Sequence, residues 1–391
     1  MWKWNFSTTR HVCTTLAIVT TLLAGGCAKP YLPPTIEEPL DSSNHFDGLL
    51  TLLEKHGAVH VLWIHGMCPH SVDDWAKPRV DALAKRLGIE DPSAIATKFI
   101  GDFIYRYELV YQGKPITLDM VVWSELIAQR RASLCFDSVH ADSGMVHEAC
   151  GKAADYKYHR AVLNNALKSD LLNACLADAM IYMGGYGRVV RDQLRPEIEA
   201  ALTPSPDGTQ QAVLLVSESL GSKVMFDTIQ QIMGNRSKSL AADRAAKTLQ
   251  NTVQIMMFAN QIPMLDLADS EPVRVSVSSQ TSADEAGNSL RGFVGALQKI
   301  NRQKQKKTEK VERLKVVAFS DPNDVLSYRL PQDYFRTDLN TDVINVIPSN
   351  DYTWFWFCEN PLNAHQGYTK THEVFDLFLC GNPIDKACVD R

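Results

Sequence analysis

The sequence, 391 residues long, lacks both a strong charge imbalance and a long apolar run near its N-terminus. Its 40 Lys and Arg residues stand against 45 Asp and Glu residues, which gives a net charge of −5. Because no long basic face is evident, this balance argues against nucleic acid as a partner. The uncharged stretch at residues 12–24 is too short to cross a bilayer comfortably as a helix, so it is not predicted to be a transmembrane anchor.

The sequence also lacks the spacing of common metal and phosphate sites. The glycine-rich segment at residues 184–187 is not followed by the Lys-Ser/Thr pair that a P-loop needs, so it indicates a break in a helical region. One group of possible metal ligands lacks zinc-ribbon spacing: Cys135, His140, His147 and Cys150. A second group lies before, along and after a predicted strand, so its side chains need not converge: His56, His60, His65, Cys68 and His70. No metal or other cofactor is predicted.

Residues 1–26 have the features of a secretory signal peptide. Lys3 and Arg10 precede the uncharged stretch, and small residues lead up to Cys27. The run Leu-Leu-Ala-Gly-Gly-Cys that ends at Cys27 resembles a bacterial lipobox, which implies cleavage before Cys27 and acylation of its thiol. Ordinary secretion with an unmodified thiol is the alternative. Because Ala28 follows rather than Asp, the resemblance to sorted lipoproteins favours the outer membrane of the bacterial cell envelope, facing the periplasm.

The rest of the chain divides into a short tether and one folded domain. Residues 27–44 contain four prolines among polar residues and are predicted to form an extended tether. Residues 45–391 form the domain, with two predicted insertions at about residues 124–168 and 266–313.

Seven cysteines follow Cys27, enough in an oxidising compartment for up to three disulfides and one free thiol. The simplest local pairs are Cys135–Cys150 and Cys380–Cys388, although the sequence does not fix the pairing.

The central stretch of the chain predicts a strand, a sharp turn and a helix. Residues 212–216 form an apolar run of the kind buried on both faces of a sheet, and residues 223–233 carry apolar side chains at helical spacing. Ser219 lies at the tip of the turn, where a nucleophile elbow exposes the serine hydroxyl and aims the next backbone N–H, that of Leu220, at the substrate. Ser217 replaces the first glycine of the usual G-x-S-x-G pattern. A buried strand that ends in a small-residue turn is the alternative interpretation.

A second strand, predicted at residues 57–64, ends in a His-Gly pair followed by Met67. Helical spacing then extends over about residues 72–87. In this arrangement the backbone N–H after the His-Gly pair supplies a second donor to an oxyanion, and that N–H belongs to Met67. Taken alone, the His-Gly pair would be explained by a turn glycine before a helix. Because the pair precedes the elbow serine in the chain, we favour the interpretation that it positions an oxyanion donor.

Further strands complete a predicted α/β fold with a mostly parallel sheet. Residues 103–111 and 116–123 read as a hairpin, and buried strands follow at residues 253–258, 314–319 and 343–347. The order of strand, His-Gly, elbow serine, strand with a following Asp, last strand, and His before a terminal helix resembles the α/β-hydrolase superfamily over about residues 45–380. The resemblance to its lipase-like and esterase-like serine hydrolases implies helices on both faces of the sheet and a Ser-His-Asp triad.

The resemblance assigns the two partners of Ser219. His365 is the expected base, because its Ala-His-x-Gly-Tyr setting is similar to the histidine loop of many lipase-like hydrolases, and His372 is the reserve. Asp324 is preferred as the acid that orients the imidazole, because Asp-Val-Leu-Ser resembles the acid-then-apolar turn of the family. Asp321 stays open as the alternative acid, although an aspartate before proline also caps turns.

The implied function is a lipid-anchored hydrolase of carboxylic esters, with a lipid or another acyl ester as substrate. An acyl-enzyme would form on Ser219 without any cofactor, and thioesterase, amidase or acyltransferase chemistry would use the same residues. The aromatic run at residues 352–357 is predicted to be core or the wall of an acyl pocket, because its exposure is costly. The alternative function is a non-catalytic binding or scaffold lipoprotein on a hydrolase fold, motivated by Ser217 and the insertions.

Overall fold

The centre of the structure is a nine-stranded, mostly parallel β-sheet with helices on both faces. The structure is a computed structural model, and it describes residues 27–40, 42–89, 91, 95–137, 157–204, 210–268, 289–304, 313–335, 339–354, 357–384 and 388. The predicted signal peptide lies outside these ranges. None of the helices within them combines the length and the apolar character needed to span a bilayer.

The strands of the described ranges are β1 (Thr35–Ile36), β2 (Phe46–Asp47), β3 (Val59–Ile64), β4 (Ala96–Phe99), β5 (Ile104–Tyr111), β6 (Lys114–Val121), β7 (Ala212–Glu218), β8 (Thr252–Phe258), β9 (Leu314–Phe319), β10 (Thr341–Ile347) and β11 (Gly381–Asn382). The large sheet has the order β1-β10-β9-β8-β7-β3-β6-β5-β4, and β2 pairs with β11. The six strands from β10 to β6 run parallel, while β1 at one edge and β5 and β4 at the other are antiparallel. The predicted class, α/β with a mostly parallel sheet, is confirmed at this level.

The apolar runs of the sequence become the central strands. All residues of β3 are buried, and β7 is buried up to its last residue, Glu218. Because helices cover both faces, these strands carry no polar-apolar alternation. The predicted hairpin is formed by β5 and β6, and β5 alternates between buried and more exposed residues.

The α-helices of the described ranges are α1 (Leu49–His56), α2 (Lys77–Arg86), α3 (Glu125–Arg131), α4 (Val162–Ala166), α5 (Ala177–Met183), α6 (Gly187–Ala201), α7 (Gly221–Asn235), α8 (Leu240–Leu249), α9 (Ile262–Leu265), α10 (Ser289–Lys304), α11 (Pro361–Gln366) and α12 (His372–Cys380). A π-helical turn, Val72–Ala76, leads into α2, and a π-helical segment, Leu167–Leu176, precedes α5. One core cluster joins α1, α2 and α12 to the sheet, and the other joins α6, α7, α8 and α10 to it.

The segment predicted as the second insertion contains a core helix. In α10, Leu290, Phe293, Val294 and Leu297 are buried, and the Phe293 ring stacks on Phe226 of α7 with centroids 6.1 Å apart. Because the residues around this helix are mostly polar, its apolar positions were not recognised in the sequence. The first predicted insertion contains α3 and α4, and residues 138–156 within it lie outside the described residues.

The disulfides only partly match the local pairs that the sequence suggests. Cys380–Cys388 is present, but the other disulfide of the described residues joins Cys68 to Cys175 across 107 residues of sequence. Cys135 is also disulfide-bonded, and its suggested partner at position 150 lies outside the described residues. The free cysteines of the described ranges are the exposed Cys27 and Cys358.

The segment predicted as a tether lies along the edge of the folded domain. β1 pairs antiparallel with β10, so that Thr35 and Ile36 extend the sheet by one short strand. Upstream of β1, Ala28 exchanges backbone hydrogen bonds with Thr353 at 3.1 and 2.8 Å. The edge strand of a sheet presents unpaired backbone groups, and an extended segment can pair with them.

The prediction for the aromatic run is wrong for its three described aromatic side chains, and residues 355 and 356 lie outside the described residues. Tyr352, Trp354 and Phe357 are 52 %, 58 % and 93 % exposed, and they form neither core nor the lining of the cavity beside Ser219. The described residues of the run follow β10, and Trp354 pairs there with Cys358.

Candidate functional site

Ser219 occupies the sharp turn between β7 and α7. β7 ends at Glu218, and α7 begins at Gly221. The φ of Ser219 is +52°, in the left-handed region that is unfavourable for a residue with a Cβ. Hydrogen bonds hold this conformation on both sides, since the Ser219 N–H donates to the Phe258 carbonyl at 2.8 Å and the Ser219 carbonyl accepts from Ser222 Oγ at 2.7 Å. A strand, a strained serine and a helix N-terminus therefore follow one another directly.

Two glycines let the loop after β3 pack against this turn. A Cβ on Gly66 would lie 2.6 Å from Ser219 Cβ, and a Cβ on Gly221 would lie 2.2 Å from the His65 carbonyl oxygen. Side chains do not tolerate such distances, so the approach requires glycine at both positions. Met67, which follows Gly66, lines the same cavity as Ser219.

His365 and Asp324 lie next to Ser219 although the three are far apart in sequence. His365 Nε2 is 3.0 Å from Ser219 Oγ, and His365 Nδ1 is 2.9 and 3.0 Å from the two carboxylate oxygens of Asp324. An aspartate at Nδ1 selects the tautomer that carries its proton there, which leaves Nε2 free to accept the serine proton. All three side chains are buried, so solvent screens these interactions little.

The Asp324 carboxylate is held in place by groups other than the histidine. The Leu326 N–H donates to Oδ1 at 3.0 Å, and the Tyr368 hydroxyl donates to Oδ2 at 3.0 Å. Burial raises the pKa of Tyr368 well above its usual value, and the nearby Asp324 charge raises it further. Tyr368 therefore stays a neutral donor at any physiological pH. In the sequence, the only indication of this role is its position three residues after His365.

The two alternative residues lie elsewhere. Asp321 accepts the backbone N–H groups of Asn350 at 2.6 Å and Asn323 at 2.9 Å, and it ties the loop after β9 to the loop after β10. Burial raises its pKa, against the lowering by those two amides. His372 begins α12, and its Nδ1 is 3.3 Å from Arg86 Nη1 rather than near Ser219.

His65 has a structural role in the loop that carries Met67. Its Nε2 accepts the Trp123 N–H at 2.9 Å, and its Nδ1 donates to the Gly66 carbonyl at 2.7 Å. The His65 ring also stacks on the Trp123 ring with centroids 5.3 Å apart. Complete burial and the nearby His70 hold the pKa of His65 well below its usual value, so the ring is neutral.

The two backbone N–H groups predicted to bind an oxyanion are available. Within the described part of the chain, the Met67 and Leu220 amides have no hydrogen-bond acceptor. Unpaired buried amides are uncommon in folded proteins, and two of them beside one serine hydroxyl suit a ligand oxygen.

The turn at Cys68 is fixed by contacts that the sequence did not predict. Its φ is +79°, its N–H donates to Asp178 Oδ2 at 2.9 Å, and its sulfur is bonded to Cys175. Asp178 also binds Arg131 Nε at 2.8 Å in a buried pair. Burial raises the pKa of Asp178 to about 6, against the lowering by Arg131. A single aspartate within a helix gives no sequence signal for this contact.

Glu218, directly before Ser219, is the second site feature without a sequence signal. Its carboxylate accepts two hydrogen bonds from Arg79, both at 2.8 Å, and one each from the indoles of Trp63 and Trp75 at 2.9 and 3.1 Å. These contacts tie the last residue of β7 to β3 and to the helix that follows the Met67 loop, so they fix the elbow relative to that loop.

A small cavity of about 100 Å³ opens beside Ser219. Its lining includes the polar side chains of His70, Arg79 and Lys370. Burial and the positive charges of Arg79 and Arg131 lower the pKa of His70 to about 3, so the cavity presents a neutral imidazole.

A groove of about 390 Å³ adjoins the cavity and shares four lining residues with it: Asp74, Arg79, Thr369 and Lys370. Its other walls are more apolar, with Pro78 and Ala82 on one side and Phe375 on the other. The two spaces meet at these four residues and are together called the cleft.

Comparison with known proteins adds no relative, since no protein-family model, no curated protein and no solved structure matches this chain. Among the described residues, no group of three or more His, Cys, Asp and Glu side chains is arranged to hold a metal ion. The class that the structure itself defines is an α/β protein with a large, mostly parallel sheet flanked by helices.

Proposed function

We propose that this chain is a membrane-anchored serine hydrolase with an α/β-hydrolase fold, which cleaves carboxylic esters through an acyl-enzyme. The observation that carries the proposal is the hydrogen-bonded series from Ser219 Oγ through His365 to Asp324. A serine hydroxyl is a weak nucleophile until an adjacent base accepts its proton, and the base acts best when an acid orients it. The positive φ of Ser219 supports the same role, because strained backbone recurs at functional sites.

In the first half of the reaction, Ser219 Oγ attacks the ester carbonyl carbon while its proton passes to His365 Nε2. The carbonyl π electrons move to the oxygen, which becomes an anion held by the Met67 and Leu220 N–H groups. The imidazolium then gives its proton to the leaving alcohol oxygen as the ester C–O bond breaks. An acyl group remains on Ser219.

In the second half, water attacks the acyl carbon and His365 Nε2 takes one of its protons. The same oxyanion donors act again, and the returning proton restores the Ser219 hydroxyl as the carboxylic acid leaves. Asp324 stabilises the imidazolium in both halves by accepting from Nδ1. No step requires a metal or another cofactor.

The shape of the cleft supports an ester with an apolar portion. The volume of the groove beside the small cavity falls in the range of small-molecule sites, and the groove offers Ala82 and Phe375 to an acyl or alkyl chain. The cavity itself offers the neutral imidazole of His70 and the Lys370 side chain to polar groups near the ester. A lipid or another acyl ester therefore fits the cleft better than a uniformly polar substrate.

The proposed location is the bacterial cell envelope, with acylated Cys27 anchoring the enzyme to the outer membrane on its periplasmic side. The lipobox-like run before Cys27 supports this location, as does the exposure of Cys27 at the surface. The exported setting also agrees with the disulfides Cys68–Cys175 and Cys380–Cys388, which persist in oxidising compartments.

A fluorophosphonate probe tests the proposal directly. The wild-type protein should form a covalent adduct at Ser219, and Ser219→Ala should lower labelling and esterase activity by about 10³-fold or more, because the nucleophile is gone. Ser133→Ala is the matched control, since Ser133 is exposed and, within the described residues, its hydroxyl donates to the Arg130 carbonyl alone. Mass spectrometry of the labelled peptide identifies the modified residue.

The scaffold alternative predicts the opposite result. Protein with a cooperative unfolding transition that takes up no probe at Ser219, at any concentration tested, would contradict the hydrolase and favour a binding protein on the same fold.

A further inference from the structure

The exposed aromatic loop after β10 and the N-terminal segment share one surface. The surface consists of a set of large exposed side chains and one lysine, here called the aromatic face: Lys29, Tyr31, Leu32, Tyr352, Trp354 and Phe357. Phe357, at 93 % exposure, is the most exposed large apolar side chain of the described residues. A group of exposed large apolar side chains on one surface normally marks an interaction site.

Backbone pairing fixes this surface next to Cys27. Ala28, the residue after Cys27, pairs with Thr353, which stands between two of the aromatic residues. Lys29 Nζ donates to the Asn350 carbonyl at 3.2 Å and lies 5.2 Å from the centre of the Tyr352 ring. The Tyr31 N–H donates to Ser349 Oγ at 2.9 Å. An acyl group on Cys27 would therefore be attached beside the aromatic face and not at the end of a flexible N-terminal segment.

The aromatic face also borders the cleft of Ser219. A cavity of about 480 Å³ is lined by Lys29, Leu32 and Tyr352 on one side and by Gln366 and Lys370 on the other. Gln366 and Lys370 also line the cavity beside the serine. The segment around these two residues therefore borders both the cavity beside the aromatic face and the candidate active site.

We infer that the aromatic face is a docking surface for a phospholipid bilayer, and that it holds the Ser219 cleft against the membrane. This inference rests on the proposed acylation of Cys27. Tyr and Trp favour the headgroup level of a bilayer, and apolar side chains such as Phe and Leu enter the acyl boundary below it. A second contact beside the anchor adds affinity and fixes the orientation of the protein on the bilayer.

The charges on the surface favour a mainly apolar contact. Lys29 and Lys370 line the same cavity as the acidic Asp351 and Glu373, so the region around the aromatic face carries charges of both signs. A basic patch alone would bind anionic lipid by electrostatics, whereas this surface offers aromatic side chains beside an anchor.

The experiment uses the acylated full chain in vesicles of phosphatidylethanolamine and phosphatidylglycerol, with and without bromine atoms in the lipid acyl chains. Bromine quenches tryptophan emission only at short range. The emission of Trp354, obtained as the difference between wild type and Trp354→Phe, should be quenched about 2-fold or more in brominated vesicles. The subtraction removes the emission of Trp356 together with that of the buried Trp63, Trp75 and Trp123, which should not be quenched.

Two variants make the test specific to the aromatic face. Phe357→Ser removes the most exposed ring and should reduce the quenching of Trp354, because the loop loses its deepest apolar contact. Phe99→Ser is the matched control, since Phe99 is 74 % exposed on β4 at the opposite edge of the sheet, and it should leave the quenching unchanged.

Three outcomes would overturn the inference. The first is equal Trp354 emission in both kinds of vesicle, and the second is an N-terminal peptide whose mass shows no acyl group on Cys27. The third is a protein dimer that Phe357→Ser dissociates, which would assign the surface to a second copy of the chain. Ser219→Ala protein should give wild-type quenching, and probe labelling of Ser219 is measured separately, so failure of the hydrolase proposal is distinguishable from failure of membrane docking.

Discussion

At the scale of single residues, the choice between two aspartates three positions apart depends on where each carboxylate finds donors. Asp321 is occupied by the amides of Asn323 and Asn350, whereas Asp324 faces His365. Tyr368 links the two, because its hydroxyl accepts the Asp321 N–H at 2.7 Å and donates to Asp324. We therefore assign Tyr368 as a positioning residue of the proposed triad.

Tyr368→Phe should lower kcat/KM for a water-soluble ester by about 10-fold, because a hydrogen bond to a charged group contributes about 1.5–3 kcal/mol. The Asp324 carboxylate, with one donor fewer, should pair more strongly with the imidazolium. The acid limb of the pH–rate profile should then move to higher pH.

Tyr328→Phe is the control for this prediction, since the hydrogen bonds of Tyr328 in the described structure use its backbone groups. A Tyr368→Phe profile that falls in rate without moving along the pH axis would indicate a general loss of structure rather than lost positioning.

At the scale of elements, the loop between β3 and the turn leading into α2 depends on contacts with distant parts of the chain. Cys68 is bonded to Cys175, and Ser124 Oγ donates to the Cys68 carbonyl at 3.1 Å. The Met67 amide stands one residue before this anchored position. The Cys68–Cys175 disulfide therefore holds a proposed oxyanion donor in place, in addition to stabilising the fold.

Removal of this disulfide in Cys68→Ser/Cys175→Ser should lower the free energy of unfolding by about 4 kcal/mol, since it closes a long loop. Fluorophosphonate labelling of Ser219 should slow by about 10-fold, because the Met67 amide is less well ordered. Denaturant unfolding and labelling kinetics measure the two effects.

The matched control is Cys380→Ser/Cys388→Ser, whose sequence separation is only 8 residues. Its loss should cost about 2 kcal/mol and leave the labelling rate unchanged. Equal slowing in both variants would show that labelling follows stability and not the position of the Met67 loop.

At the scale of the whole molecule, buried ionisable groups set how stability changes with pH. The folded protein keeps His65 neutral, while the unfolded chain binds a proton near the ordinary value of 6.5. The unfolded state therefore takes up more protons as the pH falls below about 6.5, and the free energy of unfolding falls. His70 acts in the same direction, and Asp178, with its pKa raised to about 6, partly opposes both at lower pH.

His65→Gln should make the protein less stable near pH 8, because the stacked ring is lost, but also less sensitive to acid. The slope of the unfolding free energy between pH 6.5 and 5 should decrease by up to about 1.4 kcal/mol per pH unit, the contribution of one proton. Urea unfolding at several pH values gives both slopes. His56→Gln is the control, since His56 is exposed. Parallel curves for wild type and His65→Gln would contradict the prediction.

The sequence by itself determined the elements whose signals are local. Continuous apolar runs gave β3, β7, β8, β9 and β10, because a strand buried on both faces must be apolar throughout. The turn at Ser219 was predicted for a similar reason, since strand, small residues and helix follow one another within a few positions. β4, exposed along its whole length, gave no apolar signal, so it was not predicted.

Only the tertiary structure decided the matters that depend on residues far apart in the chain. It separated Asp324 from Asp321, joined Cys68 to Cys175, and left Trp354 on the surface beside the N-terminal segment. Hydrogen-bond partners, disulfide partners and burial are set by which surfaces meet when the sheet and its helices pack. Hydrophobic patterning indicates that a segment packs, but it carries no record of the segment against which it packs.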